Sequence, residues 1–282
     1  SATCLGLLIL TRPLTAFAVS LPFIIHGLIL WFSKNSSNKK LLTLFIAITS
    51  LFTILYLVWQ YDVSGSFFMN PYRLYWPYDR IGFGPDIGLN PDGHTLKHAI
   101  DNTLFSLSYG SSDLYGWPNL SWLFIIPGII ALLNKPKALM VSAVFPVIIL
   151  IYALYWIGSW ILGPRYYFEG LIGAVLLTAA GIEWSLNISK KYLNVTMGKK
   201  QFSAAKLLIA MVSIGLITYN LVLFLPQRLE GLKGLYGISA SQLTFFKSEV
   251  VQKLAPALII IHPIDNWLEY GALLDISSPF LD

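Results

Sequence analysis

Long apolar runs alternate with short polar gaps along most of the chain, and this alternation predicts membrane-spanning helices. A helix needs about 20 mostly apolar residues to cross the hydrocarbon core of a bilayer. Six runs meet or approach this length, at residues 14–32, 41–59, 117–133, 138–162, 171–188 and 207–225. A shorter run at 5–10 has the composition of the end of one more helix. The pattern therefore predicts an all-α polytopic membrane protein with about six transmembrane helices and a helical stub.

The basic residues fall mainly into alternate gaps, and their distribution predicts the orientation of the helices. Ten Lys or Arg residues and no Asp or Glu lie in the gaps 33–40, 134–137 and 189–206. Because Lys and Arg are retained in short cytoplasmic loops, these gaps are assigned to the cytoplasm. The opposite, non-cytoplasmic face then carries a long loop at 60–116, the turn at Arg12 and the segment around Arg165.

The last part of the chain differs in pattern from the rest. We place a transmembrane domain at 1–225 and a non-cytoplasmic C-terminal segment at 226–282. In this segment, residues 241–254 have helical spacing, and the run ALIII at 257–261 is typical of a buried strand. The segment is therefore predicted to be a small mixed α/β module.

Both ends of the sequence predict that it is part of a longer protein. The opening SATCLGLLIL lacks an initiator Met, a basic region and the cleavage pattern of a signal peptide. The final DISSPFLD stops without a charged tail. We expect a C-terminal part of a longer chain, with the tail module truncated as well.

Composition agrees with a membrane protein and argues against several soluble classes. The chain is 56% hydrophobic and 12% charged, with a mean hydropathy of +0.66, whereas soluble domains carry about 25% charged residues. The pI of 9.1 comes from basic residues in the gaps and not from a clustered face, which argues against nucleic acid as a partner. The single cysteine, Cys4, excludes an internal disulfide framework and a Cys-based metal site.

The long loop holds most of the unusual polar residues. Its core, NPYRLYWPYDRIGFGPDIGLNPDGHTLKHAIDNTLFSL, mixes charged and aromatic side chains with many Gly and Pro residues that favour tight turns. Long loops with this punctuation are mostly functional or locally ordered. We therefore predict an ordered loop that packs on the ends of the helices.

Several loop residues allow more than one interpretation. The adjacent Asp79 and Arg80 are interpreted either as a structural ion pair or as contacts for a sugar or phosphate. His94 and His98 have the i, i+4 spacing of a metal site but no third ligand at a diagnostic spacing, so we predict no zinc there. Asp92 is predicted to cap the helix that follows it.

Arginines mark the predicted membrane boundary in separate segments. Arg12 lies in the turn LTRPL, and Arg165 lies in GPRYYFEG. An Arg at this boundary can bind a phosphate through two hydrogen bonds. The alternative is a side chain that only extends toward the headgroups from a helix end.

Three segments resemble a known family. The segment CLGLLILTRPLTAFAVSLPF resembles the helical hairpin GL-x-x-L-x-(R/K)-P of C-type (GT-C) glycosyltransferases, in the branch related to dolichyl-phosphate-mannose protein mannosyltransferases. The segment GPRYYFEGLIGAVLLTAAG resembles the RY segment that begins a late helix of these enzymes, with Gly170 and Leu171 where many relatives have prolines. The loop YDRIGFGPDIG resembles bacterial membrane proteins described as family 39-like.

The resemblance implies transfer of a sugar from a polyprenyl-phosphate donor to a protein, lipid or glycan acceptor at the non-cytoplasmic face of the plasma membrane. It implies donor-phosphate contacts for Arg12, Arg80 and Arg165. Contacts to the sugar or acceptor are assigned to Tyr78, Asp79, His94, Asn102 and Tyr166. The catalytic Asp of the family lies in a loop that would precede residue 1, so the fragment is expected to be inactive alone. No cofactor is assigned, and a divalent metal remains possible because some relatives need one.

Two other classes of protein stay open. A transporter or lipid flippase needs polar or ionisable residues in the middle of its spans, where this sequence has only His26. A membrane subunit without catalytic function needs no charged, ordered loop. Both alternatives are therefore ranked below the enzyme.

Overall fold

A computed structural model describes residues 1–32, 36–159, 163–192, 194–197, 200–233 and 244–254. This part of the chain is mostly helical. The chain divides into two compact units, Ser1–Ile217 and Thr218–Asp282.

Up to residue 203, most of the described residues lie in eight α-helices. Their bounds are α1 Ala2–Thr11, α2 Pro13–Phe32, α3 Ser36–Ser64, α4 Leu96–Asp113, α5 Ile125–Leu132, α6 Pro136–Ser142, α7 Val144–Tyr152 and α8 Leu171–Tyr192. The helix α9 Ala204–Tyr219 is followed by a π-helical turn, Asn220–Phe224, then by α10 Leu225–Leu232 and α11 Glu249–Gln252. Short 3₁₀-helices lie at Pro71–Leu74 and Arg165–Gly170. A two-stranded antiparallel hairpin pairs β1 Asn194–Met197 with β2 Lys200–Ser203.

Four helices in the described residues are long and apolar enough to cross a membrane: Pro13–Phe32, Lys39–Ser64, Arg165–Ile188 and Lys206–Leu232. They contain the predicted runs 14–32, 41–59, 171–188 and 207–225. This confirms the prediction of a helical chain with spans of membrane length at these four places.

The other two predicted spans are not single long helices in the described residues. In the run 117–133, turns precede α5, which has 8 residues. Pro118 and Asn119, whose φ of 57° is left-handed, lie in these turns. Hydrogen bonds join Asn119 to Ser111 and Ser112 of α4.

The run 138–162 is divided in a similar way. The helices α6 and α7 are separated at Ala143, where Pro146 has no backbone N–H to bond with the Ser142 carbonyl. Beyond Tyr152 the chain leaves the helix and pairs with the long loop through a bridge between Ile81 and Tyr155. The single long helix predicted over 138–162 is therefore not confirmed, because the residues beyond Tyr152 bond to the loop.

The loop also contains a helix of 18 residues, α4, of which the sequence predicted only the capped start. Helix α4 begins after Thr95, whose Oγ1 accepts a hydrogen bond from the backbone N–H of His98. The predicted cap, Asp92, lies three residues too early. In the tail, the predicted helix 241–254 is limited within the described residues to the four residues of α11, and the predicted strand 257–261 lies outside the described residues.

Helices α2, α7 and α8 share a small apolar core. Its buried side chains are Ala18, Val144, Phe145, Ile148, Tyr167 and Ala174. Helices α5 and α8 approach each other at two glycines, Gly128 and Gly181, where a Cβ atom would lie within about 2 Å of a backbone oxygen of the other helix. This packing holds α8, and with it the segment of Arg165, against the rest of the first unit.

Candidate functional site

Arg12 occupies the one-residue connection between α1 and α2. Its extended backbone (φ −144°, ψ 75°) suits a residue before proline, and Pro13 is the first residue of α2. The Arg12 Nη1 donates to Oε1 of Glu169 at 2.8 Å, and the two side chains are 50% and 21% exposed. Two segments that are 157 residues apart in the sequence therefore meet at one end of the helices.

Arg165 lies on the same 3₁₀-helix as Glu169. Its guanidinium carbon is 5.1 Å from the centre of the Tyr166 ring, and Nη2 donates to the Tyr166 hydroxyl at 3.4 Å. The side chain is exposed, and no carboxylate pairs with it in the described part of the chain. Arg165 is therefore a positive charge held in place by an aromatic ring, with its charge still available to an anion.

Three tyrosines join these arginines to the rest of the site, and we call Tyr152, Tyr155 and Tyr166 the tyrosine cluster. The rings of Tyr152 and Tyr166 are stacked at 5.1 Å and 6°. Tyr155 meets Tyr166 edge-on at 5.7 Å. The Tyr152 hydroxyl is 2.6 Å from Oγ1 of Thr15 on α2. The cluster thus connects α2, the end of α7 and the segment of Arg165.

Asp79 attaches the long loop to this cluster. Its Oδ1 accepts hydrogen bonds from the Tyr155 hydroxyl and from Nε1 of Trp156, both at 2.8 Å. Burial raises the pKa of Tyr155, and the hydrogen bond to Asp79 raises it further, so the phenol stays a donor at neutral pH. The neighbouring ring of Tyr78 packs edge-on against Trp156 at 5.5 Å.

Arg80 is the one predicted phosphate ligand that points elsewhere. Its Nε donates to the Pro77 carbonyl at 3.0 Å. In the residues that the structure describes, Asp79 and Arg80 form no ion pair with each other, so that structural interpretation was wrong. None of the hydrogen bonds or ring contacts above joins Arg80 to the tyrosine cluster.

His94 and Asn102 bond the long loop to the backbone that follows α7. His94 is 2% exposed, donates from Nε2 to the Ala153 carbonyl at 3.1 Å, and stacks on Phe83. The amide nitrogen of Asn102 donates to the Trp156 carbonyl at 2.9 Å. Both side chains therefore bond to the backbone beside the tyrosine cluster, and Asn102 also lines a small cavity with Tyr152 and Tyr166.

The two histidines of the predicted i, i+4 pair do not share a ligand position. His98 Nδ1 lies 2.9 Å from the Gly93 carbonyl, whereas His94 bonds to Ala153. Among the described residues, no group of three His, Cys, Asp or Glu side chains is placed to hold a metal ion.

The bond between Asp79 and Tyr155 gives a first prediction. We expect Asp79→Ala to loosen the loop and cost about 1 kcal/mol or somewhat more, because two partly buried donors lose their acceptor. Thermal unfolding in detergent, together with limited proteolysis of the loop, measures the effect. In a double-mutant cycle, Tyr155→Phe should remove part of the cost of Asp79→Ala. Purely additive effects would contradict direct coupling between these side chains.

Sequence reasoning missed Glu169, Tyr152 and Tyr155. Glu169 carried a usable signal, because a carboxylate in a segment that opens an apolar span needs a cationic partner. Arg12 was the available cation on the same predicted face. The two tyrosines gave no local signal, since an aromatic at a helix end is also typical of the membrane interface.

An apolar cleft lies next to the turn of Arg12. It has a volume of about 320 Å³ and is lined by Leu10, Tyr56 and Trp59, from α1 and α3. Leu10 is only two residues from Arg12. A cation next to an apolar cleft is suited to bind an amphiphilic anion.

No family model matches the chain, and no curated protein and no solved structure matches it.

Proposed function

We propose that the chain is part of a membrane glycosyltransferase that moves a sugar from a polyprenyl-phosphate donor to an acceptor on the non-cytoplasmic face. The meeting of Arg12 with the segment of Arg165 is the observation that carries this proposal. Arg12 directly precedes the span Pro13–Phe32, and Arg165 opens the span Arg165–Ile188. Two cations at the starts of apolar helices of membrane length support a role in holding the phosphate of a lipid-linked donor.

The roles of the two arginines differ. Arg165 has no carboxylate partner in the described residues and is proposed to bind the donor phosphate directly. Arg12 is held at one nitrogen by Glu169 and is half-exposed, so its remaining N–H groups supply a second contact. Arg80 is kept as a weaker phosphate candidate, because its Nε already bonds to the Pro77 carbonyl.

The apolar tail of the donor is assigned to the cleft beside Leu10. Tyr56 and Trp59 line it with aromatic surface, which suits an isoprenoid chain. The sugar would then lie toward the tyrosine cluster, Tyr78 and Asp79. His94 and Asn102 act in this proposal by fixing the loop on that side. The catalytic Asp is assigned to a segment that precedes this sequence.

The membrane arrangement is a proposal of the same kind. The chain would cross the plasma membrane six times if two further stretches span it in addition to the four long helices. These are the stretch around α5 and the apolar stretch Pro136–Tyr152. Residues 226–282 would then form a mixed α/β segment on the non-cytoplasmic side. The distribution of basic residues supports this orientation.

An assay with the full-length protein in vesicles tests the function. The vesicles carry radiolabelled polyprenyl-phosphate hexoses and pentoses, one at a time, and an extract of acceptor proteins, lipids and glycans. We expect label to leave at least one donor and enter the acceptor fraction, while the 282-residue chain alone gives no transfer. If intact donor crosses the bilayer without cleavage, the flippase alternative replaces the enzyme. If neither occurs, a subunit without catalytic function is favoured.

A further inference from the structure

A group of large aromatic and apolar side chains is exposed immediately after α3. We define the aromatic patch as Phe68, Tyr72, Leu74, Tyr75 and Trp76, on and around the 3₁₀-helix Pro71–Leu74. Phe68 is 87% exposed and Tyr75 is 82% exposed. The rings of Tyr72 and Trp76 are stacked at 5.6 Å and 17°, which makes one broad apolar surface. Tyr75 also meets Trp76, at 6.4 Å. Exposed apolar side chains grouped in this way mark an interaction surface.

Several contacts hold the patch at the end of α3. The chain reverses at Gly65, whose φ of 74° is left-handed. The ring of Phe67 then stacks on Tyr61, in the last turn of α3, at 4.6 Å and 19°. The Ser64 hydroxyl lies 3.0 Å and 3.2 Å from the carbonyl oxygens of Ser66 and Met69. The segment therefore folds back against the helix end.

This position sets the depth of the patch relative to a bilayer. The span Lys39–Ser64 has 26 residues, about 39 Å at 1.5 Å per residue, against a hydrocarbon core of about 30 Å. The last turn of α3 therefore reaches the headgroup region, and the patch packed against it lies at the same level. The side chains of Trp59 and Val63 on α3 are also exposed, so exposed apolar residues continue along the last turns of α3 before the patch.

We infer that the aromatic patch is a membrane-interface anchor that inserts into the leaflet at the Ser64 end of α3. Tyr and Trp rings are favoured at the boundary between hydrocarbon and headgroups, because one end of each ring is apolar and the other is polar. Arg73 lies on the same 3₁₀-helix but is half-buried, with its Nε inaccessible, so the exposed surface of the patch is mainly aromatic and apolar. A carbohydrate platform would need polar side chains around the rings, and the amide of Asn70 already accepts the Tyr72 N–H.

Anchoring has a consequence for the long loop as a whole. The patch lies between α3 and the Asp79 contact to Tyr155. A loop attached to the bilayer at one end and to the tyrosine cluster at the other is constrained at both. This inference does not depend on the proposed enzymatic function, since it uses only the patch and the span before it.

Nitroxide labels on single cysteines test the anchor, because Cys4 is the only native cysteine. In the Cys4→Ser background, labels are placed at Phe68→Cys and Tyr75→Cys, and the 282-residue chain is reconstituted into phosphatidylcholine and phosphatidylglycerol vesicles. The control is Leu89→Cys, which is 67% exposed on the same loop and is followed by exposed Asn90 and Asp92. Power-saturation spectra compare collisions with oxygen and with a water-soluble nickel chelate.

We expect the oxygen-to-nickel ratio at positions 68 and 75 to exceed that at 89 several-fold, which places these labels among the lipids. Ratios at 68 and 75 equal to that at 89 would overturn the anchor and leave the patch as a water-exposed surface for a partner protein or glycan. Each variant must elute as the unlabelled Cys4→Ser protein does. If the variants labelled at 68 and 75 do not elute as the parent does, the oxygen-to-nickel ratio at Leu74→Cys is compared with that at 89 instead, with the same two outcomes.

Discussion

Replacing Gly181 with alanine is expected to destabilise the helical unit by about 3 kcal/mol or more. The added Cβ would lie 2.1 Å from the carbonyl oxygen of Phe124 and 2.9 Å from the backbone nitrogen of Gly128. Both are backbone atoms, so no side-chain rotation relieves the contact and α5 must move away from α8. Overpacking typically costs about 1–3 kcal/mol, and a backbone clash at a helix crossing should reach or exceed the top of that range. Folded yield and thermal unfolding in detergent measure it.

Gly215→Ala is the matched control for this substitution. Gly215 lies inside α9, and a Cβ there meets nothing within 4 Å. Alanine is favoured over glycine within a helix by about 1 kcal/mol, so this variant should be as stable as the parent or slightly more stable. If Gly181→Ala behaves like Gly215→Ala, the close approach of α5 and α8 is not present in the protein.

Arg165→Ala in the full-length protein should reduce sugar transfer by about 100-fold or more, the loss typical of removing one preorganised donor from a developing negative charge. This prediction rests on the proposed function. Arg165 is exposed and lies over Tyr166, so its removal leaves no buried group without a partner and the protein should fold normally. Transfer rates at equal membrane levels of protein measure the effect.

Two control variants test whether the loss of transfer is specific to the Arg165 guanidinium. Arg165→Lys keeps the charge but loses the planar pair of donors, so we expect partial activity. Lys97→Ala removes one positive charge from an exposed position in the first turn of α4, and it should leave transfer unchanged. Equal activity of Arg165→Ala and Lys97→Ala would remove Arg165 from the site.

The long apolar helices were predictable because their stability depends on local composition. The runs that became α2, α3, α8 and α9 are each continuous, and the bilayer requirement of about 20 apolar residues identifies them without tertiary information. The run 138–162 satisfies the same rule but is broken by Pro146 and by pairing of Tyr155 with Ile81. That pairing joins positions far apart in the sequence, which no local window detects.

Of the site, the segments that meet were predictable from the sequence, but their atomic contacts were not. The prediction that the turn of Arg12 and the segment of Arg165 share a face came from counting spans, and the ion pair between Arg12 and Glu169 joins these two segments. The partner atoms could not be predicted, because bonds such as that of Thr15 to Tyr152 depend on how α2 packs against α7. The phosphate and sugar roles of all these residues stay predictions.

The single-residue connection at Arg12 couples chemistry to the mechanics of the bilayer. Pro13 fixes its own φ, so few torsions are free between α1 and α2, and the backbone of Arg12 turns whenever these helices change their tilt. Helices respond to a thicker or thinner membrane by tilting. Any change of tilt between α1 and α2 must therefore be taken up largely by the torsions of Arg12, the residue whose side chain also holds the ion pair to Glu169.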